Sequence, residues 1–187
     1  MNLTLLDFKA RCAAIVWVLL AFFAVPSQAQ LAPGTTAPLF RAQAALAGEV
    51  FEFDLSKALQ AGPVVVYFYP KAFTSGCTIE AQLFAQAMSQ FKAQNTTVIG
   101  VSGDDIETLK RFSQGPCGGK FAVAADENRQ IMKDYDAALA IIPGWADRIS
   151  YAIAPSGKIL LAYESLSPDE HVSRTLQAVT DWQIKKK

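Results

Sequence analysis

Three cysteines occur among the 187 residues, and one of them, Cys77, lies in the segment VVVYFYPKAFTSGCTIEAQLF, residues 64–84. There an apolar run meets a proline, a threonine and a glycine before a helical pattern begins. Reactive atoms in α/β proteins gather where a strand ends and a helix starts, so a thiol at that junction is placed for nucleophilic or redox chemistry. Thr74 and Ser75 are candidate N-caps for the helix that carries Cys77. Free first-turn amides and the positive end of the helix dipole favour a thiolate there over a thiol. A buried, inert cysteine is the alternative reading of the same position.

Acidity alone does not make an enzyme of such a thiol. Lowering a pKa from ~8.5 to ~6 raises the thiolate fraction at pH 7 roughly 30-fold. The accompanying loss of nucleophilicity, at a Brønsted slope of about 0.4 to 0.5, gives back roughly 10- to 18-fold. A catalytic Cys77 therefore needs donors that stabilise charge on the leaving atom. Candidates are the amides near Gly76 and Cys77, the Thr74 hydroxyl and a fixed cation. Lys71 is near but flexible, whereas Arg148, just ahead of an apolar run at residues 150–153, offers a rigid fork of donors.

The elements that must position these groups follow from periodicity. Buried-type runs at residues 64–69, 97–102, 121–124, 150–153 and 158–163 read as strands, the last two flanking the turn APSG as an antiparallel hairpin. Leu83, Phe84, Ala87, Met88 and Phe91 recur at helical spacing. DDIETLKRF and DENRQIMKDYDA give two further helices, and residues 168–183 a closing one. The chain ahead of residue 64, with Gly48 at a hairpin tip, reads as an N-terminal extension beside the core. Together these predict an α/β fold, a central mixed sheet flanked by helices.

The ends and the composition bound the rest. Lys9 and Arg11, an apolar stretch at residues 12–25 and the sequence Ser27-Gln28-Ala29 predict a signal peptide over residues 1–29 cleaved after Ala29, with an uncleaved anchor as the alternative. On that expectation the protein is exported, most simply to a periplasm, and is free of the membrane once cleaved. Removing residues 1–29 takes away Asp7, Lys9 and Arg11 and leaves a net charge of −1 from a balanced 17 basic and 17 acidic residues. A near-neutral chain with no basic stripe excludes nucleic acid as a partner. Residues 30–187 amount to one domain. Cys12 leaves with the leader, so Cys77 and Cys117 are the two thiols that an oxidising compartment would force into partnership, reduction or burial.

Pro70, Thr74 and Cys77 spell P-x-x-x-T-x-x-C, which resembles the active-site segment of the peroxiredoxins, most closely the bacterioferritin-comigratory or PrxQ-type branch. VIGVSGDDIETLKRF resembles the strand and helix that follow in that family. DRISYAIAPSGKIL resembles the segment with the family arginine, here Arg148. The likeness spans about residues 33–180. It implies a thioredoxin-like fold and reduction of hydrogen peroxide and alkyl hydroperoxides without a cofactor, at the expense of a thioredoxin-like or other thiol reductant, by a monomer or weak homodimer. Carried over by position, Cys77 is the peroxidatic nucleophile and Thr74 a hydrogen-bond partner of thiolate and peroxide. Pro70 shields the site from water, Arg148 activates the thiol and binds the peroxide, and Glu80 has at most a supporting role.

Two departures stand out. A resolving cysteine five positions after the nucleophile is common in that branch, and Gln82 stands there; Ala154 replaces an aspartate usual before the PSG turn. Cys117, amid Gly115, Pro116, Gly118 and Gly119, is the candidate resolving cysteine, in a stretch expected to be flexible. The alternative is a bystander thiol in a one-cysteine enzyme. A thioredoxin-type oxidoreductase would need C-x-x-C, but Thr78, Ile79 and Glu80 follow Cys77. A copper-delivery protein would need a second cysteine at Ala81 and a distant histidine. The one histidine, His171, is expected to be solvated at the head of the closing helix. A thiolate-based redox sensor is the remaining rival.

Overall fold

The computed structural model describes residues 30–186. The predicted leader, residues 1–29, lies outside them. Five helices and seven strands follow in the order β1 (Arg41–Leu46), β2 (Glu49–Asp54), α1 (Leu55–Ala61), β3 (Val64–Phe68), α2 (Ser75–Ala93), β4 (Thr97–Ser102), α3 (Ile106–Gln114), β5 (Ala122–Ala125), α4 (Gln130–Asp134), β6 (Ile149–Ile153), β7 (Ile159–Glu164) and α5 (His171–Lys186). One mixed sheet holds the strands in the order β2-β1-β5-β4-β3-β6-β7.

β3 is buried along its whole length, as a strand covered on both faces must be. Its alternation divides the core: Val64, Val66 and Phe68 join the cluster on one face of the sheet, whereas Val65, Tyr67 and Tyr69 join the cluster on the other, with α2, α3 and α5. β3 runs parallel to β4 and antiparallel to β6, with Phe68 opposite Ile149. The start of β6 therefore lies beside the end of β3, and Arg148 arrives where the chain leaves the sheet for α2.

The N-terminal segment does more than lie beside the core. β1 pairs antiparallel with both β2 and β5, so the extension supplies two strands of the sheet itself. Ala47 and Gly48, both at positive φ, make the tight turn between them. The predicted helix over DENRQIMKDYDA shrinks to the five residues of α4, entered through Arg129 in the left-handed region.

Candidate active site

Cys77 occupies the first turn of α2, behind Thr74 as N-cap. The first closing bond of the helix runs from the Thr78 amide to the Thr74 carbonyl, at 2.9 Å. The amides of Ser75, Gly76 and Cys77 thus precede the intrahelical ladder and remain as donors at the positive helix end. The thiol is 1% exposed, within the aromatic-rich cluster under α2 and α3. A depression of about 550 Å³ lined by Gln60, Asn95 and Trp182 includes neither Cys77 nor its first-turn neighbours.

Arg148 reaches the thiol from just ahead of β6. Its Nη2 stands 3.5 Å from Cys77 Sγ, its Nη1 donates to Glu80 Oε2, and its Nε donates to the Leu166 carbonyl at 3.1 Å. A guanidinium fork can hold three acceptors at once in one plane, which a lysine ammonium cannot do rigidly. Burial works against the Arg148 charge, but Glu80 and Cys77 together hold its pKa above the ordinary value. Glu80, fully buried one helical turn after Cys77, is pushed up to about 8 by desolvation, against the opposing pull of Arg148. It meets Arg148 directly, so Cys77, Arg148 and Glu80 form one chain of contacts.

Gly76 is a further requirement that the sequence left unread. A Cβ placed there would sit 3.0 Å from Arg148 Nη2, so the missing side chain makes room for the guanidinium beside the sulfur. The preceding loop is held by Asp104, a buried carboxylate that accepts from the Ala72 amide at 2.7 Å, Ser102 Oγ at 2.9 Å and Lys71 Nζ at 3.2 Å. Lys71 is therefore spent on Asp104. Thr74 Oγ1 donates to the Lys71 carbonyl at 2.9 Å, not to the sulfur. Pro70 ends the β3 run, half-buried.

Two expectations need correcting. His171 is fully buried, not solvated: Ser150 Oγ lies 2.8 Å from its Nδ1, the Ser165 carbonyl 3.0 Å from its Nε2, and Glu80 Oε1 3.7 Å from Nδ1. The start of α5 packs against β6 and β7, which covers the ring. Cys117 is likewise fully buried, in an ordered turn rather than a flexible one. Its amide donates to the Phe112 carbonyl, Gly118 to Gly115, Gly119 to Ser113 and Lys120 to Cys117, at 2.8 to 3.2 Å. Gly118 and Gly119 adopt positive φ to make that turn, so the glycines serve geometry, not mobility. Burial pushes the Cys117 thiol well above its ordinary pKa. Tyr69 stacks on Phe112 and Phe73 meets the same ring edge-on, which links the loop before Cys77 to the helix before Cys117. Phe73 itself sits at φ +65°.

Comparison with known proteins bears on this site. Residues 33–162 match the model of the AhpC/TSA family. The chain is 34% identical over 116 residues to "Peroxiredoxin Q, chloroplastic" of Suaeda salsa, covering 62% of this chain and 54% of that one. It is 32% identical to the protein of the same name from Sedum lineare, over 62% of each. It thus spans between about half and three fifths of the length of these curated relatives. Among solved structures, the peroxidoxin BcpB of Mycobacterium tuberculosis superposes with a TM-score of 0.73 at 24% identity, over 80% of this chain and 96% of that one. The reduced 2-Cys peroxiredoxin of Plasmodium vivax gives 0.74 at 24%, over 82% and 83%. These likenesses establish the thioredoxin-like fold.

The relatives also overturn the expected periplasmic location, because those matched are named chloroplastic and not exported. The pressure that an oxidising compartment would put on Cys117 to find a partner lapses with it. Among the described residues no helix is long and apolar enough to cross a membrane. A buried thiol under an arginine, at the mouth of a thioredoxin-like sheet, lies within a sequence match of 130 residues, and the chain belongs to the AhpC/TSA family.

Proposed function

We propose that residues 30–187 act as a single thiol-dependent peroxidase domain that reduces hydrogen peroxide and organic hydroperoxides at Cys77. The observation that carries this reading is the contact of Arg148 Nη2 with the almost fully buried Cys77 Sγ at 3.5 Å. The thiolate attacks the terminal peroxide oxygen, an S–O bond forms as the O–O bond breaks, and the alkoxide or hydroxide leaves with a proton as alcohol or water. Cys77 becomes a sulfenic acid. Arg148 and the first-turn amides stabilise the charge that moves onto the leaving oxygen, and a single such donor is typically worth about 10²–10³ in rate. Thr74 assists by turning its hydroxyl from the Lys71 carbonyl to the peroxide, and Pro70 keeps the loop closed over the sulfur.

Resolution falls to Cys117, whose thiolate displaces hydroxide from the Cys77 sulfenic acid to give a disulfide and water; a dithiol reductant then returns two electrons. The shared Phe112 contacts of the two loops support this assignment, and the ordered turn around Cys117 implies that it opens first. Steady-state peroxide consumption with dithiothreitol tests the reading. Wild type should turn over and Cys77→Ser should not; turnover by Cys77→Ser at the wild-type rate would refute it.

A further inference from the structure

A second polar layer lies behind the Cys77–Arg148 contact. Glu80 is fully buried, and only its Oε2 is engaged, by Arg148; Oε1 has no hydrogen-bond partner. That oxygen faces His171 Nδ1 at 3.7 Å. The ring orientation is fixed by its neighbours. The Ser165 carbonyl at Nε2 can only accept, so Nε2 carries the proton of the neutral ring. Nδ1 is then a lone pair that accepts from Ser150 Oγ and offers nothing to Glu80. A proton on Glu80 neutralises the orphaned oxygen and leaves it facing an imidazole that Ser150 and the Ser165 carbonyl hold in place.

We propose that His171 is a positioning residue for the reaction at Cys77: with Glu80 it holds one exchangeable proton, whose presence leaves Arg148 to the sulfur and whose loss draws Arg148 toward Glu80. The proposal rests on the reading of Cys77 as the reacting thiolate. With the proton on Glu80 the pair is neutral, and Arg148 donates to a neutral carboxyl oxygen. Without it the pair carries one negative charge that competes with the thiolate for the same guanidinium. The groups facing the pair are Arg148 ahead of β6, Cys77 on α2, Tyr67 from β3 and the Tyr163 ring from β7, 4.9 Å from His171. Glu170 and Arg174 pair with each other on the outer side of Tyr163. Burial raises Glu80 and lowers His171, so the proton resides on the carboxyl near neutral pH.

Linkage makes the effect reciprocal. A negative charge at Cys77 raises the proton affinity of the pair, and conversion of the thiolate to sulfenic acid or disulfide lowers it, releasing the proton to solvent. The histidine is the only one in the chain, so its imidazole ¹⁵N signals assign themselves. The experiment follows the Nδ1 shift between pH 5 and 9 in reduced wild type, peroxide-oxidised wild type, Cys77→Ser and Glu80→Gln. A titration step is expected in reduced wild type. It should move to lower pH by about one unit on oxidation or in Cys77→Ser, and vanish in Glu80→Gln. The peroxide reaction of wild type should lose rate at alkaline pH with the same midpoint. An unmoved midpoint, or no step at all, would overturn the proposal even if turnover is normal. Loss of the peroxidase reading would instead show as turnover by Cys77→Ser, with the NMR comparison still interpretable.

Discussion

Glu80 makes the stability of the fold depend on pH in an unusual direction. Its carboxyl titrates at about 8 when folded, against an ordinary 4.5 when exposed, because it is desolvated more strongly than Arg148 can compensate. Between those values the unfolded chain has lost a proton that the folded chain keeps, so stability falls as pH rises, by about 1.4 kcal/mol per unit. His171 acts in the opposite sense. Burial lowers its pKa below 6.5, so its contribution is present above that value and is lost as pH falls. The two slopes offset one another below pH 6.5, and Glu80 dominates between 6.5 and 8. From that window a loss of roughly 1.5–2 kcal/mol follows for wild type. Glu80→Gln should cost little stability at pH 5, where the amide replaces a carboxyl that is already protonated, and its stability should stay flat from pH 6.5 to 8. Urea unfolding of both proteins under reductant at pH 5, 6.5 and 8 measures the difference. Parallel slopes in the two proteins would refute the assignment of this titration to Glu80.

Three further outcomes follow from the geometry. Gly76→Ala puts a methyl group 3.0 Å from Arg148 Nη2; we expect the Cys77 reaction with peroxide to slow about tenfold while Tm holds or rises, as Ala favours a helix over Gly by up to about 1 kcal/mol. Arg148→Lys keeps the charge but cannot serve Cys77, Glu80 and the Leu166 carbonyl together, and stopped-flow kinetics should show a drop of about 10²–10³ in the peroxide rate constant. Cys117 should resist alkylation in the reduced native protein. Opening its turn breaks four backbone hydrogen bonds at about 0.5–1.5 kcal/mol each, so mass spectrometry should find labelling slowed by at least about 30-fold relative to the unfolded chain.

The parts legible in the sequence are those set by local pattern. The run at β3, the helical spacing of α2, the APSG hairpin and the P-x-x-x-T-x-x-C segment each declare themselves within a few residues. The need to stabilise charge on the leaving atom called for a cation, and the likeness of DRISYAIAPSGKIL to the family arginine segment, not the spacing, singled out Arg148. What stayed hidden depends on elements distant in sequence meeting in space. Glu80 lies one turn from Cys77, and that spacing could have shown it on the same helix face. Nothing local says that α5 packs its first residue over β6, so His171 read as solvated. The glycines around Cys117 suggested mobility, whereas Phe112 and the hydrogen-bonded turn bury the thiol. Asp104 follows β4 as one of two adjacent aspartates, and only the return of the Ala72 loop distinguishes it from Asp105, which caps α3.

If the sulfur of Cys77, held by Arg148, takes an oxygen atom from peroxide, a single turnover will show it. Reduced Cys117→Ser protein is mixed with one equivalent of hydrogen peroxide, quenched with dimedone and mapped by mass spectrometry. The adduct should form on Cys77 within the lifetime of the peroxide, and wild type treated in the same way should give a Cys77–Cys117 disulfide instead. Unmodified Cys77 with the peroxide left unconsumed would contradict the account.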